Sequence, residues 1–217
     1  MSHMNSETIF TNIYEKNSWK GEESRSGPSS GMERTKTLRS AIPTIVKKYD
    51  IKKFLDIPCG DFYWMKSVPW NIEYVGGDIV VGAVEANKKQ FSTENISFIQ
   101  IDLVNDPLPT GDLLFCRDCL FHLSYGDIAK VFENVLLSNS KYVMITSHIT
   151  QTNFKNKDIK TGQWRYFDLT KSPFNLPATS CVESVIDGGG DRYMMLWKVS
   201  DIEEHLKQAV QTLRLRN

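Results

Sequence analysis

Apolar residues recur along this chain at two different periods, and the switch between them divides it. Over residues 8–16, Ile9, Phe10, Ile13 and Tyr14 fall at helical spacing. Residues 21–31 (GEESRSGPSSG) are too polar for a core and read as a loop. A second helical stripe, Leu38, Ile42, Ile45, Val46 and Tyr49, spans about 33–49, and Pro43 inside it predicts a kink or a fresh helix start near Ser40. After Asp50 short apolar runs alternate with helical ones. Strands are expected at 54–57, 73–79, 96–102, 112–116 and 141–147, and helical stretches at 61–68, 81–91 and 125–137. That alternation predicts right-handed βαβ units in a parallel sheet with helices on both faces.

The tail reads differently. Residues 150–179 hold Pro, Asn and aromatics without a clear period, which makes them a long insert. Two strands follow, 180–186 and 193–199, joined by Asp187-Gly188-Gly189-Gly190-Asp191, so the sheet is expected to end in an antiparallel hairpin, seven strands in all. Ser200 and Glu203 predict a capping box for a last helix. The chain is thus read as a lid of N-terminal helices and loop (4–50) followed by one α/β domain (51–217) with the insert 150–179. Met1-Ser2-His3 before Met4 has the look of a cloning scar.

Composition removes several classes. The 217 residues carry 26 Lys+Arg against 26 Asp+Glu, with 41% hydrophobic and 24% charged residues. Such a chain buries a core and is not intrinsically disordered. It lacks the basic excess of a general nucleic-acid binder. Four cysteines make no disulfide scaffold. The apolar runs are too short to span a bilayer and the start lacks the pattern of a signal peptide, so a cytoplasmic location is the default and no membrane insertion is expected. Cys116 and Cys119 form a C-x-x-C pair, but without a second pair it reads as two ordinary cysteines, and no metal is expected.

In an open parallel sheet a ligand binds beyond the carboxyl ends of the strands. Here the first strand ends in Asp56-Ile57-Pro58-Cys59-Gly60-Asp61, the second in Gly76-Gly77-Asp78, the third in Asp102, the fourth in Arg117-Asp118 and the fifth in Ser147-His148. An acid after the second strand suits the hydroxyls of a ribose, and one after the third suits the amino group of an adenine. Each acid taken singly is equally a helix N-cap. The phosphate-cradling G-x-G-x-x-G of a nicotinamide oxidoreductase is not present, which sets that activity behind the others.

With these residues in place the chain resembles a class I S-adenosylmethionine-dependent methyltransferase over about residues 51–199. FLDIPCGDFYW resembles that family's first motif, with Pro58 where a glycine is usual; YVGGDI resembles the second, ISFIQIDL the third and DLLFCRDCLFHL the fourth. The resemblance implies a Rossmann-like class I methyltransferase fold and S-adenosyl-L-methionine as cofactor. By position it implies Asp56, Pro58, Cys59 and Gly60 around the methionine part, Asp78 and Ile79 at the ribose, Asp102 and Leu103 at the adenine, and Arg117 with Asp118 near the amino group and sulfonium. The 19–31 loop, the DIPCGD turn, RDCLFH and residues 146–150 further resemble small bacterial methyltransferases of surface-polysaccharide decoration, including those of capsule phosphoramidate groups.

The resemblance implies a small-molecule acceptor: a sugar, phosphate or phosphoramidate oxygen, with no nucleic acid. A hydroxyl acceptor needs a base, for which His122 and His148 are the candidates, His122 preferred. An anionic acceptor needs cations instead, and Arg165, Arg192 and Arg25 are the candidates. Tyr14, Trp19, Ser30 and Trp164 are placed to close over the ligand, or else to pack the lid. Two other readings stay open, a cofactor-binding protein without catalysis and, behind it, the nicotinamide-dependent oxidoreductase. The oligomeric state is not legible.

Overall fold

The computed structural model describes residues 5–216, so Met1-Ser2-His3, where a cloning scar was expected, Met4 and Asn217 lie outside the described residues. Two N-terminal helices, α1 (Ser6–Glu15) and α2 (Lys36–Lys48), flank the Gly/Ser loop. The chain then runs through β1 (Lys53–Asp56), β2 (Glu73–Asp78), α3 (Val81–Phe91), β3 (Ile96–Gln100), β4 (Leu113–Cys116), α4 (Tyr125–Leu137) and β5 (Tyr142–His148). It ends with β6 (Cys181–Ile186), β7 (Arg192–Lys198) and α5 (Val199–Arg214). The sheet has seven strands in the order β3-β2-β1-β4-β5-β7-β6. Strands β3 to β5 pair in parallel, while β7 runs antiparallel between β5 and β6. The order reverses between β1 and β4, and a cleft is expected beyond that point.

Side chains alternate across the sheet and build a core on each face. Leu55, Leu114, Val143 and Trp197 pack with α4 and α5 on one face. Phe54, Phe115, Met144 and Leu196 pack with α2 on the other, beside the aromatic group Phe62, Trp64 and Tyr74. The central strands β1, β2, β4 and β5 are buried on both faces, as a sheet covered on both sides requires, while the edge strands β3 and β6 are largely not.

Three expectations are corrected. Of the two outcomes expected at Pro43, no fresh helix starts near Ser40: α2 runs unbroken through Pro43, with Leu38, Ile42 and Ile45 on either side of it buried, and that packing outweighs the missing N–H. Residues 61–68 form no α-helix, only a short turn at Met65–Ser67. Phe62 stands at φ 56°, which breaks helical continuity, and its ring is buried against Tyr74, Phe91 and Phe98. The capping box is not formed: β7 stays paired up to Lys198, the Val199 N–H bonds the Lys141 carbonyl, and Ser200 Oγ donates to its neighbour Asp201 instead. No helix among the described residues is long and apolar enough to cross a membrane.

Candidate functional site

At the switch point a cleft encloses about 1040 Å³, including its open mouth, and all ten residues singled out for a cofactor line it. Its floor is the turn after β1. The Ile57–Pro58 peptide is cis. The Cys59 N–H bonds the Gly77 carbonyl at 2.8 Å, and Asn87 of α3 donates to the Gly60 carbonyl at 2.8 Å. Gly60 stands at φ +56°, and a Cβ there would lie 2.0 Å from Ser26 Oγ, so the Gly/Ser loop seats directly on the turn.

Asp78 locks the floor. It accepts from the N–H of Gly60 and of Val80, each at 2.9 Å. A carboxylate has about four acceptor positions, so roughly half remain for a ligand. Burial raises its pKa. Asp56 is buried too, accepts from the Tyr74 hydroxyl at 2.5 Å, and is pushed up to about 7 by desolvation, which outweighs that bond and the pull of Arg117. Asp102 lies two residues beyond β3 and accepts from the Val104 N–H at 2.8 Å. Leu103 and Ile79 supply apolar wall beside it.

Charge decides what the cleft can take. Asp56, Asp61, Asp78, Asp102 and Asp118 line it against Arg117 as the one permanently charged cation. Arg117 itself is neutralised, since Nε and Nη2 hold the two oxygens of Asp187 at 2.9 and 3.0 Å. Burial works against its charge, yet Asp118 and Asp187 hold its pKa above the ordinary value. A net acidic cleft with acceptor positions left on Asp78 and an apolar wall fits a cationic nucleoside such as S-adenosylmethionine. Nothing in it offers a pyrophosphate the close-approaching glycines or cations it needs.

His122 lines the cleft at the end of a short turn after β4, Leu120–His122. Its Nδ1 lies 2.8 Å from the Gln163 carbonyl, so Nδ1 carries the proton and Nε2 keeps its lone pair. Trp19 stacks on the imidazole with ring centres 5.3 Å apart. Burial lowers the imidazole pKa, and Arg165 pushes the same way against Gln163 and Asp118.

The other candidates separate. Tyr14, Trp19 and Ser30 line the cleft, and burial beside Asp61 raises the Tyr14 hydroxyl to about 12. Five residues do not line it. His148 is buried with Nδ1 against the main chain of Phe167. Trp164 stays half exposed, edge-on to Tyr166. Arg25 is exposed, over the Tyr14 ring at 5.9 Å. Arg192 is committed to Asp118 at 3.2 Å, Asp187 at 3.3 Å and Ser29 Oγ at 2.8 Å. Arg165 is buried within the insert. None of the three cations expected to hold an anionic acceptor is therefore open to the cleft.

Several residues of the site have roles that the sequence did not signal. Asp61 gathers the Gly/Ser loop, accepting from Ser24 Oγ and the Arg25 N–H at 2.8 Å. Asp187 sits seventy residues from Arg117 and was readable only as part of a glycine-rich link. The Gln163 carbonyl that sets the His122 tautomer is main chain, which no side-chain pattern reveals.

No protein-family model and no curated protein matches the sequence. Solved structures do match in fold. Human N-acetylserotonin methyltransferase in complex with SAM superposes with a TM-score of 0.62 at 17% identity, covering 90% of this chain and 60% of that one. The chain thus spans less than two thirds of the human protein. The methyltransferase domain of bacterial CtHen1-CN gives 0.56 at 16% identity, with 76% and 98% covered. The N,N-8-amino-8-demethyl-D-riboflavin dimethyltransferase RosA from Streptomyces davawensis gives 0.54 at 14%, with 76% and 54% covered. The chain shares the Rossmann-like fold of class I methyltransferases.

Proposed function

We propose that the protein is an S-adenosylmethionine-dependent methyltransferase that acts on a hydroxyl of a small polar acceptor. One observation carries the reading: the unpaired Nε2 side of His122 belongs to the same cleft as the strand-end acids Asp56, Asp78 and Asp102. A cofactor-binding protein without catalysis has no use for a tautomer-fixed imidazole at that place.

When bound, the cofactor supplies an electrophilic methyl group on a sulfonium. The chain's own residues do the rest. Asp78 and Asp102 would hold the nucleoside, while Asp56 and Asp118 face its positive charge. The Gly/Ser loop, seated on Gly60, and the Trp19 ring exclude water. His122 Nε2 would take the acceptor's hydroxyl proton, with Nδ1 bonded to the Gln163 carbonyl.

The paired state of Arg192 and the buried state of Arg165 favour a neutral hydroxyl over an anionic oxygen. Among the acceptors that the resemblance implies, a sugar hydroxyl of a surface-glycan precursor therefore suits the cleft better than a phosphoramidate. The test is an isotope-labelled methyl donor incubated with nucleotide sugars and phosphorylated metabolites, read by mass spectrometry. A methylated sugar is expected, and His122→Gln should lower kcat by about 10²–10⁴-fold. Labelling of an anionic oxygen that persists in His122→Gln would sink the base, and failure to bind the cofactor in a titration would sink the whole reading.

A further inference from the structure

The insert buries a charge that packing does not explain. Arg165 is 6% exposed, and its guanidinium lies between the Tyr125 and Phe167 rings, 5.2 and 5.4 Å from their centres. Nη2 makes one long bond, 3.4 Å, to the Leu120 carbonyl. Nε and Nη1 are shut off from solvent with no partner among the described residues. The nearest carboxylate, Asp158, stands 3.9 Å from Nη1 and is already taken by the N–H groups of Tyr125 and Ile159. Burying a cation with so little compensation is costly, and an apolar side chain would fill the same space between two rings at lower cost. Desolvation brings its pKa down to about 10, with Tyr125 and Asp158 only partly offsetting it.

Its position gives the reason. Gln163 accepts the His122 Nδ1 proton, and two residues later Arg165 turns back onto Leu120, the first residue of the turn that carries His122. One stretch of the insert thus fixes the orientation of the imidazole and sets a positive charge against the turn that carries it. The charge is not a substrate subsite, because Arg165 does not line the cleft.

We propose that Arg165 is a positioning residue for His122: its poorly compensated guanidinium adds to the burial of the ring in keeping the imidazole unprotonated, so that Nε2 is free to accept a proton. This rests on the reading of His122 as the base. The groups facing the imidazole support the sign. From its own segment comes Asp118, which favours the protonated form, but Arg192 at 3.2 Å and Arg117 at 3.4 Å already hold that carboxylate. The N-terminal segment brings the uncharged ring of Trp19. From the insert come the Gln163 carbonyl and Arg165, and α4 brings the neutral Tyr125 behind that guanidinium. The guanidinium is the one of these charges without a close counter-ion, and it pushes the same way as burial, against Asp118 and the Gln163 carbonyl.

The experiment is an NMR pH titration of the full apo chain, with the His122 signal among the four histidines assigned by its loss in His122→Asn. Arg165→Met should raise the His122 midpoint by about one unit, and Arg165→Lys should leave it near the parent value. Asp158→Asn should lower it, by removing what little offsets the cation. In turnover the acidic limb of kcat/KM should move with the midpoint, and Arg165→Met should regain parental rates at higher pH. An unmoved midpoint in Arg165→Met overturns the proposal, and so does an equal shift in Arg165→Lys, which would mean packing and not charge. Should Arg165→Met fail to fold, an unchanged or raised midpoint in Asp158→Asn overturns it. A midpoint that moves while the acidic limb stays keeps the electrostatic assignment and sinks His122 as the base.

Discussion

Two sides of one cleft each bury an arginine, and they treat it in opposite ways. On the hairpin side, Arg117 follows β4 and is 6% exposed. It holds Asp187 with two bonds, the Ser29 carbonyl at 2.8 Å and Asp118 at 3.4 Å. On the insert side, Arg165 is buried to the same degree with one long bond to Leu120. Burial alone therefore does not say what a buried charge is for; its bond count does. The saturated arginine is a clamp, tying β4, the β6–β7 link and the Gly/Ser loop into one wall. The unsaturated one leaves a field in the place where we assign the base.

The sharpest way to break that contrast is to put Arg117 in the state of Arg165. Asp187→Ala removes both oxygens from a pair whose carboxylate is fully buried. Removing one partner of a buried pair typically costs about 3–5 kcal/mol. For a chain of this size that lowers the melting temperature by roughly 10 °C, measured by calorimetry or circular dichroism. Release of Ser29 should also loosen the loop, so cofactor binding should weaken in the same variant. An unchanged melting temperature would mean that Asp118 alone compensates Arg117, and the contrast between the two sides would fail.

The reverse exchange should be milder. Arg165→Met deletes a cation that stands almost alone, and replacing a poorly compensated buried charge with an apolar side chain is neutral or stabilising. Urea unfolding should give a midpoint equal to or above that of the parent, although activity at neutral pH falls. Arg117→Met should instead destabilise, because it strands the Asp187 carboxylate. If both substitutions destabilise equally, Arg165 is as structural as Arg117.

This contrast was half legible in the sequence. Strand-end acids could be read because a parallel sheet places them by rule: once Phe54, Leu55 and the next apolar runs are strands, Asp56, Asp78 and Asp102 fall at one edge. Helix α4 and helix α3 could be read for the same local reason, periodic burial over three turns. What was not legible depends on separation. Arg117 meets Asp187 across 70 residues and Ser29 across 88. Nothing local told Arg192, already spoken for by Asp118 and Asp187, from a free cation awaiting a substrate. The missing helix at 61–68 belongs to the same class. Its sequence permits a helix, but the burial of Phe62, Trp64 and Met65 against the sheet and the capture of Asp61 by Ser24 and Arg25 hold it in another shape.

A third arginine gives the smallest expected effect and the finest check on the comparison. Arg25 is exposed in the loop, with its guanidinium 5.9 Å from the Tyr14 ring centre and 3.2 Å from the Glu15 carbonyl. Its contribution to holding the Gly/Ser loop is its main-chain N–H, which donates to Asp61 at 2.8 Å. Alanine keeps that N–H. Arg25→Ala should therefore change stability by no more than about 0.5 kcal/mol, as exposed substitutions usually do, and leave the acceptor KM within about twofold. Steady-state kinetics beside urea unfolding measures both quantities. A large rise in KM with stability intact would mean that this side chain reaches an anionic acceptor from the loop. Bond count would then fail as the guide to which arginine at this cleft acts, because the one that did so would be the most exposed of the three.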